Sequence, residues 1–216
     1  MGKLKIKKSD VWIDMTPMSD VMVLLLTFFM LTSTFVKNEP VKVIAPKSVS
    51  EIDIPEKMLL TVHVDSLGHV FMTTSDQNAQ LKALETMMSN YSGLKLTGEQ
   101  KLKFKIDPMW GIPVSQLSAY LNLDADKMSA AIKQSKGIPT DSTTTGDKTS
   151  EFQDWVKAVK SAYKDINSDE VLKIAIKCSA DAPYGRVKKV ISELQDLDES
   201  RYYLVTNLKK NKDKED

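Results

Sequence analysis

The most apolar stretch of the chain lies near its amino terminus, where Met15–Val36 reads MTPMSDVMVLLLTFFMLTSTFV, 22 residues with one ionisable side chain, Asp20. At about 1.5 Å per residue a helix of that length extends roughly 33 Å, enough for a hydrocarbon core of about 30 Å. Apolar residues surround it on all sides instead of forming one stripe, which argues against a surface helix of a globular core. A cleaved signal peptide is the other alternative, but no small-x-small cleavage pattern closes the run (STFVKNEP) and a carboxylate stands at its entrance. A transmembrane helix over 15–36 is therefore expected, after a 1–14 lead rich in lysine.

Beyond it the pattern changes. Residues 37–57 carry Pro40, Pro46 and Pro55 among Ser, Lys and Glu and read as an extended linker. From Met58 the period becomes two, with Leu60, Val62 and Val64 on one face and Thr61, His63 and Asp65 on the other. A turn at Ser66–Gly68 and a return strand to Thr73 complete a hairpin. Leu81, Leu84 and Met88 mark a helix, as do Phe152, Trp155, Val156, Val159 and Tyr163. Leu172, Ile174 and Ile176 mark a strand, Val187, Val190, Ile191 and Leu194 another helix, and Tyr202–Leu208 a final strand. Strand, strand, helix, strand, helix, strand predicts a small α+β domain over 58–208, with helices on one face of a mixed sheet. Residues 93–150 interrupt it as an irregular, partly helical insertion, in which Leu117, Tyr120, Leu121 and Met128 predict at least one helix and 141–150 a loop. Residues 209–216 form a charged tail.

A formal charge of +1 offers no broad field for a polyanion, so nucleic acid is not an expected partner. The single cysteine, Cys178, excludes an internal disulfide and reads as a buried small hydrophobe. No phosphate loop, nucleophile elbow or metal-ligand cluster stands in the sequence, so no enzyme activity, cofactor or metal is expected. His63 and His69 read as solvated strand positions. Trp110 and Trp155 read as core or interface aromatics.

Asp20 carries the chemistry that remains. Helical positions seven apart lie about 20° from overlap, so Asp20, Thr27 and Thr34 share a stripe, with Thr16 one turn before. Asp at a bilayer centre costs about 2.5 to 3.5 kcal/mol, and such residues face a bundle interior or a wet cavity and mark ion routes. Threonine hydroxyls can hold water or relay hydrogen bonds along such a route. Two plainer readings stand beside this one: Asp20 as a first-turn residue favoured by the helix dipole after Pro17, and threonines bonded only to the preceding turn.

The stretch DMTPMSDVMVLLLTFFMLTSTF, Asp14–Phe35, resembles the signature of the ExbD/TolR family, a threonine-proline pair shortly before an aspartate that opens an aliphatic span. AIKCSADAPYGRVKKVISELQ and YYLVT resemble the family's strand, Pro-Tyr-Gly helix start and last strand, in the same order. The resemblance covers about 10–90 and 151–208. It implies a subunit anchored once in the bacterial inner membrane, amino terminus inside and domain in the periplasm. It further implies that Asp20 takes up and releases protons, the coupling ion, inside an ExbB-like or TolQ-like oligomer that holds two copies of this chain. The output implied is work on a TonB-like transducer for outer-membrane transport. A Tol-type role in envelope constriction with attachment to peptidoglycan stands beside it, and a non-conducting scaffold module is the reading from another class.

Overall fold

The computed structural model describes residues 16–33, 39–48, 57–141, 149–166 and 171–208. The 1–14 lead, Thr34, residues 49–56 of the linker, 142–148 of the predicted loop and the 209–216 tail lie outside the described residues. The chain divides into two compact units, 1–37 and 38–216.

In the first unit, α1 spans Thr16–Thr32, 17 residues, and every side chain described on it is exposed, Leu31 by 87%. The helix ends earlier than the predicted 36, because Thr32–Ser33 opens a run of poor helix formers. Ser33 still donates its N–H to Phe29 O at 2.9 Å but is no longer helical. At about 26 Å, α1 falls short of a hydrocarbon core of about 30 Å. Among the described residues, no helix is long and apolar enough to cross a membrane.

The second unit is the predicted α+β domain. β2 (Leu59–Val64) and β3 (Val70–Thr74) form the antiparallel hairpin. Asp65 shapes its turn by accepting the N–H groups of Leu67 and His69, each at 2.8 Å, and Gly68 takes a left-handed φ of 82°. β4 (Lys173–Cys178) pairs parallel with β2, and β5 (Tyr202–Leu204) parallel with β4, giving a mixed sheet in the order β3-β2-β4-β5. Leu60, Val62, Ile174 and Ile176 are fully buried on one face. α2 (Gln77–Asn90) and α6 (Glu151–Ile166) pack against each other and, with α7 (Tyr184–Gln195), supply the helical side of the same core.

Two sequence expectations change and one, the helices of the insertion, is met and exceeded. The last strand is two: after β5 the chain leaves the main sheet, and β6 (Asn207–Leu208) pairs parallel with β1 (Lys47–Ser48), a strand from the predicted linker. The insertion holds three helices, α3 (Gly98–Ile106), α4 (Val114–Leu121) and α5 (Ala125–Gln134), where at least one was expected. α3 opens with a capping box between Thr97 and Gln100, a local signal that the scattered lysines obscure. Third, the insertion belongs to the core. Trp110 exchanges both backbone hydrogen bonds with Met72, and Ile138 N–H donates to Val70 O, so these residues seal the outer edge of β3. Phe104 and Trp110 lie with Trp155 of α6 at ring separations of 5.6 to 5.8 Å. Position 111 must be glycine, since a Cβ there would lie 2.0 Å from the Phe71 ring.

Candidate functional site

α1 places Asp20 as its fifth residue, and no acidic side chain lies in its first turn. The helix dipole acts within that first turn, so the structure weakens the reading of Asp20 as a dipole-favoured start. The carboxylate is exposed and is the one ionisable group of the helix. Thr27 stands two turns on, on the same stripe, and its Oγ1 donates to Leu24 O at 2.9 Å. Thr32, off the stripe, donates in the same way to Phe28 O at 2.8 Å. Each hydroxyl has thus used its proton within the helix but keeps oxygen lone pairs for water or another donor. Thr16 begins the helix, and Thr34 lies outside the described residues. Of the four predicted site residues, the structure therefore brings Asp20 and Thr27 onto one exposed stripe.

The domain contains titratable groups that the sequence reading missed or misplaced. His63, expected in solvent, is buried, and neither ring nitrogen has a hydrogen-bond partner among the described residues. Burial pulls its pKa down to about 4; Glu39 opposes this and Lys177 adds to it. Alternation places His63 on the second face of the sheet as predicted, but the strands cannot reveal that this face is covered. His69 fits the expectation better: it is half-buried and its Nδ1 lies 3.1 Å from Asp65 Oδ2.

Asp107, between α3 and α4, is buried and receives the Tyr120 hydroxyl at 2.7 Å; burial pushes its pKa up to about 6, against that hydrogen bond and a weaker one from Met109 N–H. Burial also raises Glu151, which accepts Val114 N–H at 3.0 Å, and Glu193, which accepts the Ser150 hydroxyl at 2.5 Å. Gln80 donates to both Phe104 O and Asp107 O, at 2.7 and 2.9 Å, and locks α2 to the insertion. These groups clamp elements together. Among the described residues there is no group of three or more His, Cys, Asp or Glu able to hold a metal. Cys178 is buried as expected, its thiol pushed up to about 11 by desolvation.

Comparison with known proteins gives one family, described as Biopolymer transport protein ExbD/TolR, whose model matches residues 7–209. Among curated proteins and among solved structures nothing matches. The matched range takes in α1, the whole α+β domain and the helical insertion as well. With nearly the full length matched, and with an aspartate-bearing apolar helix preceding a mixed α+β domain, the chain belongs to the ExbD/TolR family of biopolymer transport proteins.

Proposed function

We propose that this chain is the proton-carrying, force-transducing subunit of an inner-membrane motor of the ExbB–ExbD type, and that Asp20 is the proton carrier. The observation that carries the reading is α1 itself: one carboxylate in an otherwise uncharged helix whose large apolar side chains are all exposed. Such a surface needs an apolar surrounding. The apolar run Met15–Val36, 22 residues in sequence, is long enough for lipid to supply it. Asp20 then requires a protein partner that offers it a wet cavity, and an ExbB-like or TolQ-like oligomer is the partner that family membership supports. Two copies of this chain inside that oligomer, the amino terminus in the cytoplasm and the domain in the periplasm complete the proposed arrangement.

In this mechanism Asp20 takes a proton from the outer side, turns or shifts as a neutral acid, and releases it inside. Thr27 keeps lone pairs that can accept from water on the route, and in the sequence Thr16 and Thr34 stand at the matching helical spacing. Each charge moved through 100 mV supplies about 2.3 kcal/mol, so a few protons per step suffice to shift packed helices. The domain passes that work to a TonB-like transducer. Catalysis of bond chemistry has no part in it.

Asp20→Asn tests the proposal, because it keeps size and polarity and removes the titratable proton. With the partner oligomer co-expressed, energised outer-membrane uptake is lost while membrane insertion and complex assembly persist. Uptake at the unmodified level would refute the role of Asp20 as carrier.

A further inference from the structure

Residues 39–48, read from sequence as linker, lie along the domain as an extended strap. Val41, Val43 and Ala45 turn inward, and Lys42, Ile44 and Pro46 outward. Its last two residues, Lys47–Ser48, are β1 and pair parallel with β6, and the residues before them add further ties. Ala180 N–H donates to Ile44 O at 3.0 Å; Asn207 donates its N–H to Pro46 O at 2.9 Å and its Nδ2 to Ala45 O at 3.0 Å. Glu39 Oε2 lies 2.9 Å from Lys177 Nζ. Lys177 is the register partner of His63 on β4, and Phe71 is its partner on β3. The ion pair at the start of the strap therefore sits beside the buried ring.

We propose that residues 39–48 form a proton-released strap, in which protonation of His63 frees the segment from the domain while the main sheet stays intact.

The argument rests on what an imidazolium would meet at that place. The ring is 1% exposed, and both its nitrogens lack partners among the described residues. A second N–H and a full charge would therefore be buried unsatisfied. The charged groups facing it are Lys177 from β4, which repels it, and Glu39 from the strap, already engaged by Lys177. Farther along the same face Asp65 holds His69, and Tyr203 of β5 lies across Ala175. None of these supplies a free anion to the ring. Water can relieve the charge if some cover lifts. β2 is paired along its length with both β3 and β4, whereas the strap is tied, among the described residues, through the Ile44, Ala45 and Pro46 carbonyls, the Glu39–Lys177 pair and the two-residue pairing of β1 with β6, so the strap yields first. The inference needs only the geometry of the domain and stands apart from the role proposed for Asp20.

The strap donors give a direct readout, since the amides of Ala180 and Asn207 are protected only while it is seated. Hydrogen exchange is followed by NMR on the full chain in detergent micelles, corrected for the pH dependence of intrinsic exchange. If the ring titrates near 6.5 when released and near 4 when covered, opening becomes about tenfold more favourable from pH 7.5 to 5.5. Protection at Ala180 and Asn207 falls by that factor, and the β2–β4 ladder changes less than twofold. His63→Gln and His63→Phe each abolish the pH response, either sufficing should the other misfold. Glu39→Gln loosens the strap at both pH values and keeps the response. Unchanged wild-type protection, an equal fall in the ladder, or a wild-type response in a folded His63 variant would overturn the proposal.

Discussion

Two helices of nearly equal length divide the molecule's physics between them. α6, 16 residues, buries nine, among them Phe152, Trp155, Val159 and Tyr163, and leaves lysines outward. α1, 17 residues, has no buried side chain among those described and, apart from Asp20, no charge. α6 resolves its amphipathicity inside the chain, so its role is to stabilise the domain. α1 presents apolar surface that its own unit does not cover, and such a surface calls for an apolar surrounding beyond that unit. A single aspartate therefore means different things on the two helices. Asp154 of α6 receives the Tyr91 and Thr149 hydroxyls at 2.8 and 3.0 Å, whereas Asp20 is exposed on α1.

The sharpest way to break this contrast is truncation. Trp155→Ala removes the ring that stacks on Phe104 and should cost the domain about 3 to 5 kcal/mol, read as a large fall in the denaturant midpoint of the full chain in micelles. Phe28→Ala in α1 should leave that midpoint unchanged. A comparable loss from both would mean that α1 belongs to the domain's core.

Adding charge reverses the order. Leu25→Lys in α1 should cost about 2.5 to 3.5 kcal/mol of membrane insertion and shift protein from the membrane to the soluble or aggregated fraction. Lys157→Leu on the exposed side of α6 should change stability by less than about 0.5 kcal/mol.

The buried carboxyl of Asp107 gives a pH test confined to the domain. Its folded pKa, near 6, lies above the ordinary 3.8, so the folded state binds the extra proton between those values. The stability it contributes is fully present below about 3.8 and is lost as pH rises through 6. The effect is on the order of 2 to 3 kcal/mol. Asp107→Asn should remove this component from the stability curve between pH 4 and 7, isolated as the difference from wild type because His63 acts in the opposite sense over the same range. A parallel pair of curves would show that Asp107 does not hold its proton in the fold.

Thr27→Val carries the smallest expected effect. It removes a hydroxyl whose proton is already bound to Leu24 O, so α1 remains helical and proton flux drops by less than tenfold, about 1.4 kcal/mol or below. Loss as deep as that from Asp20→Asn would make Thr27 a carrier in its own right.

Sequence periodicity was a good guide wherever one element faces one core. The hairpin, α6, β4 and α7 follow from alternations of two and 3.6, and the apolar face that each alternation marks is buried or partly buried. It failed where a second layer decides. The Val41, Val43, Ala45 alternation of the strap was present, but Pro40 and Pro46 masked it, and its pairing partner Asn207–Leu208 lies some 160 residues away. His63 was misread for the same reason: a strand reports which face a residue takes, not what covers that face. In the insertion, Trp110 was legible as a core or interface aromatic, but short helices broken by Pro108, Pro113 and Gly137 hid Phe104 and the extent to which the segment packs on α6. Asp20 was legible because a carboxylate in an apolar run stands out without any tertiary context.

The central claim, that Asp20 carries protons, is tested most directly by flux. The full chain and its ExbB-like or TolQ-like partner are reconstituted in liposomes holding a pH indicator, and a potential is imposed. Wild-type complex should acidify or alkalinise the lumen according to the sign of the potential, and an equally assembled Asp20→Asn complex should fall to the leak of protein-free vesicles. Flux through the Asp20→Asn complex equal to that of wild type would contradict the account.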